Sequence, residues 1–267
     1  MYKLNEDKDF KYITFPSFEK YDDIIHGFTT RYGGVSKGPF ESMNIGFSTG
    51  DSDENVTRNI EIMAEKLNIN TGDIVATNQT HNNTIKYINE EYKKMVFEES
   101  PFTDVDGIYT DRKNIALMSF HADCTPIFYY DPIKKVVALA HAGWKGTLLN
   151  ITGKMVRAFV SDFNSDPSHI QTAIGPSLDM NCFEVDKDVA DMFLSKDKNF
   201  EQFMETRGSK FHFNLWEINK YLLMQEGIKE ENIEISGLCT KCNNDMFFSH
   251  RGQGGKRGLL AGVIMMK

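Results

Sequence analysis

Short runs of apolar, β-branched and aromatic residues, broken by Gly, Pro, Asn and Asp, predict strands over 24–30, 73–79, 84–88, 105–110, 114–121, 126–130, 135–141, 170–175, 233–238 and 259–265. Helical periodicity appears in four places. Over 53–68, Val56, Ile60, Met63 and Leu67 share one face, with Asp51 and Glu54 as the capping signal. Over 147–163 the face is Leu148, Thr152, Met155, Phe159 and Phe163, and further helices are expected over 186–194 and over 214–226, the latter on Leu215, Ile218 and Leu222. The polar stretch 89–100 reads as a loop or a surface helix. Strands outnumber helices and the order is not a regular βα alternation, so the pattern predicts an α+β fold, a layered arrangement of mixed β-sheets flanked by helices, rather than a doubly wound parallel sheet.

No Pro-, Gly- or Ser-rich linker interrupts the 267 residues, and a single domain over 1–267 is expected. The net charge of -8 argues against affinity for nucleic-acid phosphates, although the short basic run from Arg251 to Gly258 could serve one phosphate group. A polar N-terminus and no apolar run of about 18 residues predict a cytoplasmic protein with no membrane span. Four cysteines are too few for a disulfide scaffold.

Candidate chemistry gathers where strands end. His81 closes Asn78-Gln79-Thr80-His81, Cys124 follows the apolar run 114–120, and His141 ends the run 136–140. Residues 126–141 look like a hairpin turning at Asp131-Pro132, which makes Cys124 and His141 neighbours in space. Nothing in the spacing ties His81 to them. A thiolate with two imidazoles suits zinc and leaves a fourth position open; three ordinary buried side chains would leave the same trace in the sequence. Asp123 is either a ligand-orienting carboxylate or a turn residue, and His121, on the opposite strand face to its neighbours, is a weak candidate for a fourth ligand. Cys239-Thr240-Lys241-Cys242 has the spacing of half a zinc ribbon or a redox pair, but with neither a second cysteine pair nor a thioredoxin-like βαβ opening it reads as structural or incidental, able to form a disulfide or take up metal. The run Arg251-Gly252-Gln253-Gly254-Gly255-Lys256-Arg257-Gly258 matches no nucleotide-binding motif, yet its amides and cations suit an anion or form a flexible turn. Arg31, beside Gly33-Gly34, is a candidate clamp for phosphate or carboxylate.

Eight blocks, in order along the chain, resemble the YfiH/YlmD family, also called multicopper polyphenol oxidase (laccase-like) or purine nucleoside phosphorylase proteins. They are His26-Gly27-Phe28-Thr29-Thr30-Arg31-Tyr32-Gly33-Gly34-Val35-Ser36, Met43-Asn44-Ile45-Gly46, Asn78-Gln79-Thr80-His81, Asp104-Val105-Asp106-Gly107, Ala122-Asp123-Cys124-Thr125-Pro126, His141-Ala142-Gly143-Trp144-Lys145-Gly146, Ile174-Gly175-Pro176-Ser177 and Phe247-Phe248-Ser249-His250-Arg251. The resemblance implies a fold related to CNF-type Cys/His hydrolases and a zinc ion on His81, Cys124 and His141. It implies cleavage of adenosine, inosine and methylthioadenosine by phosphate, with adenosine deamination beside it. The family is also linked to laccase activity and to editing of peptidoglycan precursors. Two departures stand out: His121 where a Cys or small residue is usual, and Gly252-Gln253-Gly254 in place of an Arg-rich stretch.

The leading expectation is therefore a zinc-dependent purine nucleoside phosphorylase acting on small-molecule substrates, a purine nucleoside and phosphate. His81, Cys124, His141 and Asp123 are the candidate catalytic residues, and Arg31, Asn44 and Arg251 the substrate-binding ones. Asp123 and His250 are candidates for the proton donor to the leaving base. The zinc-deaminase signature His-x-Glu with Pro-Cys-x-x-Cys is absent, which puts deamination second to phosphorolysis. A laccase-like reading would place Cu2+ in the site, but no His-x-His pair is present. The same residues would also serve a hydrolase or amidase built on Cys124 and His141, or a non-catalytic metal-binding module. Self-association, as a homodimer for example, is left open.

Overall fold

The computed structural model describes residues 2–93 and 102–267. Two six-stranded mixed sheets form the body. The first runs, in spatial order, Lys3–Asp7, Phe10–Thr14, Ile24–Thr29, Leu260–Met266, Ala116–His121 and Ile74–Ala76; the second runs Ile233–Ile235, Gln171–Ile174, Thr125–Asp131, Val136–Ala142, Gly107–Thr110 and Ile85–Tyr87. A small antiparallel sheet of Glu184–Val185, Lys210–Phe213 and Met204–Arg207 stands apart. The expected α+β class is the one observed.

The central strands read as unbroken apolar runs because both of their faces are buried. Leu117, Leu260 and Ile264 of the first sheet meet Phe128, Tyr130, Val137 and Leu139 of the second in one core. The alternate residues Met118, Ala261 and Val263 pack outward under Val56, Ile60 and Met63 of the helix Asp53–Lys66. On the far side Ile127, Tyr129, Ala138 and Ala140 lie against Ile151, Met155 and Phe159 of the helix Ile151–Phe163. The layers are thus helix, sheet, sheet, helix, and each fully buried large apolar side chain contributes roughly 1.5–3 kcal/mol.

The expected strands are all present, most of them shorter by a residue or more at one end. The expected hairpin is there as well: Thr125–Asp131 pairs with Val136–Ala142 with Pro126 opposite His141. Three expectations change. The helix over 147–163 is two helices, Trp144–Leu148 and Ile151–Phe163, because Asn150 takes a left-handed conformation (φ 55°) and caps the second by accepting the Gly153 N–H at 2.8 Å. The cap of Asp53–Lys66 is Ser52, which accepts the Asn55 N–H, while Asp51 binds Asn44 and Asn55 side chains instead. Of the stretch 89–100, Glu90–Tyr92 forms one 3-10 turn and 94–100 lies outside the described residues. The hairpin Lys3–Asp7/Phe10–Thr14 and the small sheet were not expected from the pattern. Among the described residues no helix is long and apolar enough to cross a membrane.

Candidate metal centre and cavity

Strand register assembles the site. The hairpin sets Cys124, one residue before Thr125–Asp131, beside His141 near the end of its partner strand. Gly107–Thr110 pairs with the other edge of that partner strand, Gly107 opposite Ala140, so Asp106 falls next to His141 and its carbonyl accepts the His141 N–H at 2.7 Å. His81 arrives from the turn after Ile74–Ala76. The coordinating atoms of His81, Cys124 and His141 lie within 4.8 Å of one another. Gly143 completes the packing, since a Cβ there would sit 3.0 Å from His81 Cδ2 and 3.2 Å from Cys124 Sγ.

The residue that holds both histidines is Asp106, almost wholly buried. Its Oδ1 accepts His141 Nδ1–H at 2.8 Å and the His81 N–H at 2.9 Å; its Oδ2 accepts the N–H groups of Thr80 at 3.0 Å and Asn82 at 3.1 Å. One carboxylate therefore pins the turn that keeps His81 at φ 65° and fixes the tautomer of His141, leaving Nε2 to face the sulfur. Burial opposes the charge on Asp106, but the bond to His141 and the two N–H groups hold its carboxyl below the usual range. The Asp104-Val105-Asp106-Gly107 block carries no mark of this role in the sequence beyond its place just before a strand that pairs with the His141 strand.

Burial alone would push the Cys124 thiol up, yet the His141 charge and hydrogen bonds from His141 and His81 bring it down to about 6. His141 moves the other way: against burial, the Cys124 charge and the Asp106 bond raise it to about 9. A half-buried thiolate with two imidazoles, one backed by a carboxylate, is a donor set that fits a borderline-soft divalent ion, with three ligands and an open side. His121 is not part of it. Its Nδ1 donates to the Cys124 carbonyl at 3.1 Å and its Nε2 takes the Ser119 hydroxyl at 2.6 Å, so both nitrogens are engaged, and burial holds the ring neutral.

The open side faces a cavity of about 440 Å³, within the size range of small-molecule sites, roughly 300–1,000 Å³. Phe47, Phe120 and Leu259 give it apolar walls, and Arg257 enters beside the three ligands. The Arg257 Nε is buried with no hydrogen-bond partner among the described residues. Burial lowers the guanidinium from its ordinary value, while the charges of Asp123 and Cys124 work in the opposite direction. The basic run expected to serve an anion thus brings Arg257, and not Arg251, to the cavity.

The other candidates lie elsewhere. Asp123 (φ 92°) accepts the Thr240 hydroxyl on Oδ1 and the Arg251 N–H on Oδ2, both at 2.7 Å, so it ties two loops together and does not touch the cluster. The Arg31 guanidinium binds the Asn244 carbonyl at 2.9 Å and lies 4.8 Å from the centre of the Phe248 ring. Arg251 reaches the carbonyls of Cys182 and Glu184, and neither arginine lines the cavity. Asn44 is fully buried; its Oδ1 accepts the N–H groups of Gly46 and Leu259, and so it sets two segments of the cavity wall from behind. His250 is exposed and outside the cavity.

The family described as multi-copper polyphenol oxidoreductase laccase matches residues 25–267. The chain belongs to that family. Within it, the chain is 39% identical over 251 residues, 92% of its own length and 89% of the relative's, to the purine nucleoside phosphorylase YlmD of Bacillus subtilis. Among solved structures it is similar to the hypothetical protein YfiH of Bacillus licheniformis, with TM-score 0.91, 34% identity and 99% of each chain covered. It is similar also to YlmD of Geobacillus stearothermophilus, with TM-score 0.88, 31% identity and 98% of each chain covered.

Proposed function

We propose that this chain is a zinc-dependent purine nucleoside phosphorylase, converting adenosine, inosine or methylthioadenosine with phosphate to the free base and ribose 1-phosphate, with adenosine deamination as a side activity. The observation that carries this reading is Arg257, whose buried Nε–H has no hydrogen-bond partner among the described residues, in the same cavity as His81, Cys124 and His141. A half-buried guanidinium whose Nε–H has no hydrogen-bond partner among the described residues is suited to an anionic substrate, and phosphate is the anion that the reaction consumes. The aromatic side chains of Phe47 and Phe120 in the cavity lining suit a purine ring. Several relatives, YlmD among them, bear the name purine nucleoside phosphorylase.

Zinc held by His81, Cys124 and His141 would supply Lewis acidity at its open position. The remaining work falls to the protein's own groups. Arg257 holds phosphate against the sugar, where positive charge develops as the glycosidic bond breaks. Asp106 keeps the His141 proton on Nδ1, and the apolar walls keep water from competing with phosphate. Asp123, with both oxygens committed, positions the loop before Cys124 and is not free to donate a proton.

A second reading has its own observation. Cys124, His141 and Asp106 form a thiol, imidazole and carboxylate series, the order found in cysteine hydrolases, and a hydrolase or amidase acting on a peptidoglycan precursor would use it without metal. One assay separates the two. The purified protein, incubated with adenosine, is expected to release adenine and ribose 1-phosphate only when phosphate is present, and chelation is expected to abolish release. Base release without phosphate, or at full rate after chelation, would rule out the first reading.

A further inference from the structure

The chain carries a second cluster of metal-binding character, remote in kind from the first. Gln171–Ile174 and Ile233–Ile235 are parallel neighbours, so the segments that follow them leave the sheet at the same end. The pairing continues as a bridge between Ser177 and Cys239, with the Thr240 N–H on the Ser177 carbonyl at 3.1 Å. This places Asp179-Met180-Asn181-Cys182 against Cys239-Thr240-Lys241-Cys242, two turns with the same two-residue spacing. The half ribbon read in the sequence has its missing half, with an aspartate in the place of a cysteine.

The coordinating atoms of Asp179, Cys182, Cys239 and Cys242 all lie within 4.8 Å of one another. Cys182 Sγ and Cys242 Sγ are 3.4 Å apart, and all four cysteines of the chain are free. A tetrahedral zinc with sulfur ligands at about 2.3 Å sets neighbouring sulfurs about 3.8 Å apart, whereas a disulfide needs about 2.05 Å. Cys182 and Cys239 are buried and Cys242 is exposed. The Cys182 N–H donates to Asp179 Oδ1 at 2.8 Å, which orients the carboxylate and leaves its second oxygen for a cation.

We propose that Asp179, Cys182, Cys239 and Cys242 form a second, closed metal site for a thiophilic divalent ion of the zinc class. Four protein donors leave no open position, which is the structural rather than the catalytic arrangement. The site clamps loops that serve the first centre. Thr240, between two of its ligands, binds Asp123, the residue before Cys124. Arg251, in the loop that carries Arg257, is fastened to the carbonyls of Cys182 and Glu184.

The test is zinc content by mass spectrometry on the full chain, reconstituted with zinc under reducing, oxygen-free conditions and freed of loose metal. Wild type is expected to hold two zinc ions per chain, Cys242→Ser one, Cys124→Ala one, and the double variant none. Cys242 is exposed, so its replacement spares the core; Cys182→Ser is a second variant with the same expectation. As a second readout, cobalt-loaded Cys124→Ala is expected to show thiolate-to-cobalt absorption that Cys242→Ser removes. Zinc content unchanged by Cys242→Ser, or a Cys182–Cys242 disulfide in the reduced preparation, overturns the proposal. A single zinc in wild type that disappears in Cys242→Ser supports it while counting against zinc at the first centre, so the two readings fail separately.

Discussion

The two clusters differ in what stands behind and in front of them. His81, Cys124 and His141 have one buried carboxylate behind them, Asp106, and in front a cavity that Arg257 enters with an Nε–H that has no hydrogen-bond partner among the described residues. Asp179, Cys182, Cys239 and Cys242 close on themselves, and none of the four lines the cavity beside the first centre. Three donors and an open side suit a reaction, and four donors suit a fastening. Ligand type alone would have ranked the clusters the other way, because three thiols bind a soft ion more tightly than one.

The largest effect that sharpens this contrast is expected from Cys124→Ala. Losing an outer partner of a metal ligand costs roughly 10–100-fold in metal affinity or activity, and losing the ligand itself costs more. Ribose 1-phosphate formation should therefore fall by more than about 100-fold while the fold, followed by circular dichroism, is retained. Activity near that of wild type would break the distinction between an open, working centre and a closed one.

Buried histidines give the next contrast. His141 has Asp106 on Nδ1 and is pushed up, whereas His26, in the first sheet, has the Phe15 N–H on Nε2 at 2.9 Å and no carboxylate bonded to its ring among the described residues. Burial lowers His26 to about 4. The unfolded chain then binds the extra proton first, so the His26 contribution is fully present above its unfolded value near 6.5 and is lost as pH falls through about 4. The expected loss is about 3 kcal/mol over that window. Urea unfolding from pH 7 to pH 4 measures it, and His26→Gln should flatten the slope; an equal slope in the variant would assign the acid sensitivity to other groups.

Asp106→Asn should weaken zinc binding at the first centre roughly 10–100-fold, since it disturbs both histidines at once, and leave the second site's zinc in place. Competition with a chelator of known affinity resolves the two ions. Equal weakening at both sites would mean general loosening of the structure. Arg257→Gln should raise the KM for phosphate about tenfold, the lower end of what a charged hydrogen bond is worth, with little change in the KM for nucleoside. An unchanged KM for phosphate would return that role to Arg31 or Arg251.

Much of this frame is legible in the sequence, and the physical reason is burial. Strands such as Thr125–Asp131 and Val136–Ala142 are covered on both faces and therefore spell continuous apolar runs, which is enough to infer the hairpin and the nearness of Cys124 to His141. Lys3–Asp7 and Met204–Arg207 are edge strands with mostly exposed side chains, so no hydrophobic pattern marks them. His81 depends on a left-handed turn held by a carboxylate 25 residues away, a long-range bond that periodicity does not encode, and it joined the others only through family resemblance. The basic run was visible as an anion candidate, but which of its arginines turns inward is decided by the fastening of Arg251 to Cys182 and Glu184, which leaves Arg257 for the cavity. Likewise Cys239 and Cys242 stood out by spacing, while their partners came from a parallel strand pairing across the sheet.

The most direct measurement is a zinc titration of metal-free Cys242→Ser protein, in which only the first centre can fill, with adenosine cleavage by phosphate followed at each step. Phosphorolysis is expected to be absent without zinc, to rise in proportion to the ion added, and to level off at one zinc per chain. Full phosphorolysis in the metal-free protein, or none at one bound zinc, would contradict a working centre built on His81, Cys124 and His141.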